Sequence, residues 1–372
     1  MYALLSHDSA CEALRVLSVR SALPAKRWPS VAQKLSGDQC VSTQREYRQL
    51  CEKVDLASLG VRTAPTHLLV PSQQMRSSGR SAHFHVWSAE LPANSCLQVG
   101  DDVLLSGPEF TIMQFAGATA RLDGLLDAHA AAIAAEAKML AGLGLEDHAT
   151  VDNPLAWEHE RRIVAAAVLA CEFAGTYRLG MPGESTRYRT SPIMSCDGLE
   201  HMAAKAERTT AASRASKAAR LAFDGSASPM ETALALLFAL PVEYGGLGLP
   251  RPVLNAPVDV SGYRGPLSDR DQVSPDFLWP EKRVALEYDS GEFHFQGEKT
   301  AGTDAVRANI LTALGYRVFR ATPQTVRSLA AVELLGRQLA CALGVVLEIP
   351  DEICALRRRR LYAELMPHRR EG

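Results

Sequence analysis

The stretch SPDFLWPEKRVALEYDSGEFH, Ser274–His294, decides how this chain is read. Two apolar runs flank Pro280-Glu281-Lys282, so Gln272–Trp279 and Arg283–Asp289 are predicted as strands joined by a tight turn. Side chains alternate along a strand. Val284, Leu286 and Tyr288 therefore leave one face of the second strand, while Glu287 and Asp289 leave the other. The first strand brings Asp276 beside them. Carboxylates gathered on adjacent strands repel; they are tolerated when a cation neutralises them or when one acid keeps its proton. Oxygen-only ligands favour a hard cation, so Mg²⁺ or Mn²⁺ is the expected cofactor. Such a cation activates water and stabilises charge building on a phosphodiester.

Outward from the hairpin, a helix fits Ser228–Leu240, with Ser228 as N-cap and Pro229 in the first turn. A strand fits Leu254–Val260. After the hairpin come a helix over Thr303–Leu314 stopped at Gly315, a strand over Tyr316–Ala321 and a helix over Pro323–Leu343. Residues 223–345 thus read as an α-β-β-β-α-β-α domain of α/β class. Residues 1–124 read as a small α+β domain: a helix in SACEALRVL after Ser9, then strands at Thr66–Val70, His83–Trp87 and Asp102–Leu105 near turn formers. Residues 125–222 form an alanine-rich helical connector, with helices over Leu122–Leu145, Trp157–Arg178 and His201–Phe223 and a loop at MPGESTRYRTSP, residues 181–192. A basic tail, 346–372, closes the chain.

A length of 372 residues implies two or three domains. The composition, 47% apolar and 22% charged, is that of a globular protein with a sizeable core. A net charge of −2 excludes a surface coated in positive charge, so nucleic acid must be met by a local basic face. The helix 201–223 offers Lys205, Arg208, Arg214, Lys217 and Arg220, and the tail offers Arg357 to Arg360 with Arg369 and Arg370. An aromatic share of 6% gives no sign of a base-stacking platform. The eight cysteines are scattered without a CxxC pair, which excludes a zinc knuckle and points to reduced thiols in a cytoplasmic protein. MYALLSHDSACE lacks the pattern of a secretory signal. The apolar stretch near Ala130–Leu145 is too short to span a bilayer, so no membrane partner is expected.

The run D-x-x-W-P-x-x-x-V-x-x-E-Y-D-x-x-x-x-H, Asp276 to His294, resembles the PD-(D/E)XK nuclease superfamily, in its branch related to very-short-patch-repair endonucleases. Ser228-Pro229-Met230-Glu231, Asp304-x-x-Arg307 and Gly315-Tyr316-Arg317-Val318-Phe319-Arg320 resemble that branch as well. The resemblance implies a restriction-endonuclease-like core. It implies that Asp276 and Glu287 are metal ligands, that Glu231 holds a metal-bound water, and that His294 is a general base or assists the leaving group. Asp304 and Arg307 would brace the site, with Arg307 and Arg320 near nucleic acid. The chain departs from the wider superfamily at Asp289, where a lysine is usual; the nearby branch also has an acidic residue there. The usual Asp-Gly step is Asp289-Ser290, with Gly291 one position later. Further upstream, LLSHDSACEAL, THLLVP, His83–Leu91 and VLLSGPEFTIMQFAG resemble the region preceding the nuclease-like domain of AbiEi-type abortive-infection proteins.

Three readings compete. The first is a Mg²⁺-dependent DNA endonuclease in phage defence or mobile-element conflict. The second is a non-catalytic antitoxin or regulator of AbiEi type that keeps the nuclease fold as a binding scaffold. The third is a structural part of a defence or toxin–antitoxin complex, with a protein partner at the helical middle.

Overall fold

The computed structural model describes residues 1–117, 123–136, 155–181, 183–263, 271–289 and 298–366, with the backbone alone at 123, 136, 155–158 and 298–305. The chain is mixed α/β. It divides into two compact units, residues 1–123 with 162–222, and residues 124–161 with 223–372.

In the first unit, strands β1 (Ala3–Leu5), β2 (Arg27–Trp28), β3 (Thr66–Val70), β4 (Ala82–Val86), β5 (Cys96–Gln98) and β6 (Val103–Ser106) form one sheet. Their order is β2-β5-β6-β1-β3-β4. Helices α1 (His7–Val19), α2 (Gln44–Cys51) and α3 (Pro108–Ala116) accompany it. The helix α1 begins at His7 rather than after Ser9, because Ser9 turns inward and its hydroxyl accepts from the His67 N–H at 2.9 Å.

The helices α4 (Asp123–Glu136) and α5 (Leu155–Ala174) follow. The expected helix 122–145 is described only as far as Glu136, and its remaining residues lie outside the description. The predicted helix 157–178 stops at Ala174. Its last two residues instead form β7 (Tyr177–Arg178), paired antiparallel with β8 (Arg187–Tyr188) inside the segment read as a loop. Burial of Arg178 explains the change. Its guanidinium donates to the carbonyls of Glu172 at 2.5 Å, Gly175 at 3.1 Å and Ser191 at 2.7 Å, capping a helix end whose carbonyls lack partners.

The single helix read over 201–223 is two: α6 (Cys196–Lys205) and α7 (Thr210–Leu221). Thr209 breaks it by capping α7, its hydroxyl accepting from the Ala212 N–H at 3.0 Å.

Four histidines gather on one side of the first sheet. His67 and His83 are register partners on parallel β3 and β4, and His85 lies two residues further along β4. His7 stacks on His85 at 3.9 Å, and His83 stacks on its other side at 4.3 Å. His67 Nδ1 lies 3.2 Å from His85 Nε2 and 3.4 Å from Asp8. Among the described residues, no group of three such side chains is placed to hold a metal ion here.

The second unit carries α8 (Pro229–Ala239), β9 (Val253–Leu254), β10 (Val258–Asp259), β11 (Gln272–Val273), β12 (Phe277–Trp279) and β13 (Val284–Tyr288). Then come α9 (Glu298–Ala313), β14 (Arg317–Ala321), α10 (Pro323–Val326), α11 (Leu329–Leu343) and α12 (Glu352–Leu365). The main sheet has the order β14-β13-β12-β9, with β13 and β14 parallel and the other pairs antiparallel.

Three predicted elements are each divided in two. The strand 254–260 breaks at Asn255–Pro257, where Asn255 turns left-handed at φ 51°. The strand 272–279 breaks at Ser274-Pro275-Asp276, since Pro275 has no N–H for a ladder. The freed pieces β10 and β11 pair with each other as a separate ribbon. The helix 323–343 breaks at Ser328, which caps α11 by accepting from the Ala331 N–H at 3.2 Å.

Leu278 and Ala285 pack with Ile310 and Leu311 of α9 on one face of the sheet. Phe277, on the opposite face, meets Phe238 of α8 edge-on at 6.4 Å. A sheet covered on both faces needs apolar residues at successive positions, which FLW and VAL supply.

Candidate active site

The hairpin builds the floor of the site. Phe277 pairs with Leu286 and Trp279 with Val284, and Asp276, the residue just before β12, lies close enough to Glu287 for that charge to act on it. The turn that fixes this register closes on Arg283 at φ 50°, whose guanidinium donates to the Leu314 carbonyl at 2.8 Å. The Trp279 indole donates to the Pro250 carbonyl at 2.7 Å and anchors the first strand.

Glu231 comes from the third position of α8. Ser228 caps that helix by accepting the Glu231 N–H at 3.1 Å. Its carboxylate is buried at 7% exposure and turns back to accept from the Ala227 N–H at 2.9 Å and the Asn255 amide at 2.6 Å.

Asp276 Oδ2 accepts the Tyr288 N–H at 2.6 Å. Burial pushes the Asp276 carboxyl up to about 8, with the charges of Glu231 and Glu287 adding to the rise and the Tyr288 hydrogen bond and Arg307 opposing it. Glu287 is 9% exposed and meets Arg307 Nη2 of α9 at 3.2 Å, while that same nitrogen donates to the Ser274 carbonyl at 3.1 Å.

Three of the expected site carboxylates are therefore close enough to perturb one another, with Arg307 as their cationic neighbour. Asp289 sits just past β13, where its N–H donates to the Ala321 carbonyl at 2.8 Å. Arg320 is the register partner of Glu287 on β14 and is exposed. His294 and the Ser290-Gly291 turn lie outside the described residues, as does the side chain of Asp304.

The donor set suits a hard cation by chemistry, being oxygen alone and partly desolvated. Among the described residues, no three His, Cys, Asp or Glu side chains are placed to hold a metal ion between them. A pair of carboxylates with retained waters is nevertheless an ordinary Mg²⁺ environment. A raised Asp276 pKa and the Arg307 guanidinium together offset the carboxylate charge.

The expected basic faces are partly committed elsewhere. Lys205, Arg208, Arg214, Lys217 and Arg220 belong to the first unit. Arg214 donates to the Ala116 carbonyl at 3.3 Å, and Arg220 pairs with Glu200 at 2.7 Å. Lys205, Arg208 and Lys217 are exposed. Within the segment read as a basic tail, Glu352–Leu365 is helical and much of its charge is structural. Arg357 pairs with Glu160 at 2.9 Å, and buried Arg358 pairs with Glu333 at 3.1 Å. Arg369 and Arg370 lie outside the described residues.

Sequence reading missed Asn255, which binds Glu231 and sits where a continuous strand was expected. The Asn-Ala-Pro triplet at 255–257 was the available signal, since those residues mark turns.

Compared with protein-family models, curated proteins and solved structures, the chain gives no match in any of the three. Among the described residues, no helix is long and apolar enough to cross a membrane.

Proposed function

We propose that the chain is a metal-dependent DNA endonuclease whose second unit carries a restriction-endonuclease-like core. The observation that supports this most is the gathering of Asp276, Glu287 and Glu231 at the end of the β12–β13 hairpin, close enough for both glutamates to raise the Asp276 pKa. The strand order β14-β13-β12-β9, with α8 and α9 on opposite faces, agrees with the core that the resemblance implies.

Asp276 and Glu287 would hold Mg²⁺ or Mn²⁺, with Glu231 contacting it through water. The bound cation supplies Lewis-acid polarisation of the phosphodiester and a more acidic water. Glu231, fixed by Ala227 and Asn255, would orient the attacking water, while His294 would serve as general base or assist the leaving group. Arg307 holds Glu287 in place and lowers the repulsion within the cluster. Exposed Arg320, on the same strand pair as Glu287, offers a phosphate contact. A cytoplasmic role in phage defence or mobile-element conflict completes the proposal.

One arrangement favours a second reading. Arg307 already neutralises Glu287, and no three side chains among the described residues grip a metal ion. A non-catalytic AbiEi-type regulator, or a component of a defence complex with a protein partner, would keep the cluster in that closed form.

Plasmid nicking with Mg²⁺ or Mn²⁺ separates the two. Activity in the wild type that is lost in Asp276→Ala and Glu287→Gln supports the nuclease. Equal activity in all three proteins removes this site, and binding of DNA without cleavage or metal dependence favours the scaffold.

A further inference from the structure

Asn255 interrupts what would otherwise be a single strand, and it does so at φ 51°, a left-handed backbone that Asn adopts more readily than most residues. The turn concentrates three bonds on this one residue. Nδ2 donates to Glu231 Oε2 at 2.6 Å and to the Gly225 carbonyl at 3.0 Å. The backbone N–H donates to the Asp276 carbonyl at 3.1 Å. An amide nitrogen carries two donors, which matches these two acceptors.

The Glu231 oxygen held by Asn255 is the same one that accepts from Ala227 at 2.9 Å, so two donors from different directions fix that carboxylate. Removing the Asn255 amide takes away one of these two donors. Asn255 also stands immediately after β9, which pairs with β12, so the donor is tied to the strand that leads out of Asp276.

We propose that Asn255 is the positioning residue of the carboxylate cluster, its side-chain amide holding Glu231 towards Asp276 and its backbone securing the turn that carries it. This assignment rests on the metal-dependent reading given under Proposed function. Outer partners of metal-site ligands typically change metal affinity or activity by about 10–100-fold when removed.

The test uses the full chain and Mn²⁺, with bound metal counted by electron paramagnetic resonance of the free ion and Asp276→Ala as background. The variant is Asn255→Gly. It accepts a left-handed backbone and retains the N–H to Asp276, while it removes the donor to Glu231. The expected result is Mn²⁺ binding about tenfold weaker or more. A higher Mn²⁺ requirement for nicking should accompany it, with a thermal midpoint in EDTA close to wild type. A variant that binds Mn²⁺ as tightly as the wild type would overturn the assignment and leave the metal reading standing. A lowered midpoint with unchanged affinity would also overturn it, by making the role structural. Wild type binding no Mn²⁺ above the Asp276→Ala background would overturn both.

Discussion

Replacing Asp276 by Asn tests the electrostatics of the site without requiring any substrate. Asn keeps the shape of the side chain and an oxygen to accept the Tyr288 N–H, which Asp276 receives at 2.6 Å. It removes the group that has to ionise beside Glu231 and Glu287. The Asp276 carboxyl is raised from 3.8 to about 8 in the folded chain, so between those values the folded state keeps a proton that the unfolded state has lost. Stability then falls as pH rises across that window, the reverse of a salt-bridged aspartate. At about 1.36 kcal/mol per pH unit, this one group removes at most about 4 kcal/mol between pH 5 and pH 8. Urea unfolding in EDTA, followed by a probe in the second unit, should show Asp276→Asn gaining on the wild type as pH rises. The advantage should be small at pH 5 and several-fold larger at pH 8. Parallel stability profiles for the two proteins would refute the reasoning, because they would mean that Asp276 ionises freely in the folded chain.

Further outcomes follow from other buried groups. The histidine column should make the first unit acid-sensitive: burial, with neighbouring histidines adding, lowers His7 and pushes His85 down to about 3, so protons bind the unfolded chain first below pH 6.5. Stability present above that pH is lost as pH falls, by about 2 kcal/mol from His85 between pH 6.5 and 5, with His7 adding in the same direction. His85→Gln should flatten the acid limb of a thermal-midpoint profile, and an unchanged limb would contradict this. Glu172 is 2% exposed and takes Arg15 through two bonds of 2.8 and 2.7 Å, besides accepting from the Leu179 N–H at 3.1 Å. Glu172→Gln should cost about 3–5 kcal/mol in urea unfolding, since it leaves the largely buried Arg15 guanidinium without its counter-charge. A loss under about 1 kcal/mol would show the pair to be replaceable.

The hairpin and its carboxylates were legible because two local signals agree. The Pro-Glu-Lys turn fixes where the strands meet, and alternation in VALEYD fixes which side chains share a face with Asp276. The helix α8 was readable from Ser228 and Pro229, whose capping chemistry is written in adjacent residues. What escaped depends on distant or competing partners. Asn255 and Pro275 cut apolar runs that looked continuous, and the freed ends found a different pairing in β10 and β11. Thr209 has the composition of a helix interior and the side chain of a cap, and the cap prevailed. Arg178 reads as a surface residue until the carbonyls at the end of α5 enclose it. The histidine column draws on residues 7, 67, 83 and 85, and no local rule announces that β3 and β4 run parallel. Glu231 was expected at the site by resemblance, but the contact that orients it comes from a residue that local pattern had assigned to a strand.

The most direct test of the account is a Mn²⁺ anomalous difference map from crystals of the wild-type chain soaked in that ion. The account predicts a peak between the Asp276 and Glu287 carboxylates, with Glu231 one water away and the peak absent in Asp276→Ala. A map with no peak there, with Arg307 still bonded to Glu287, would contradict it.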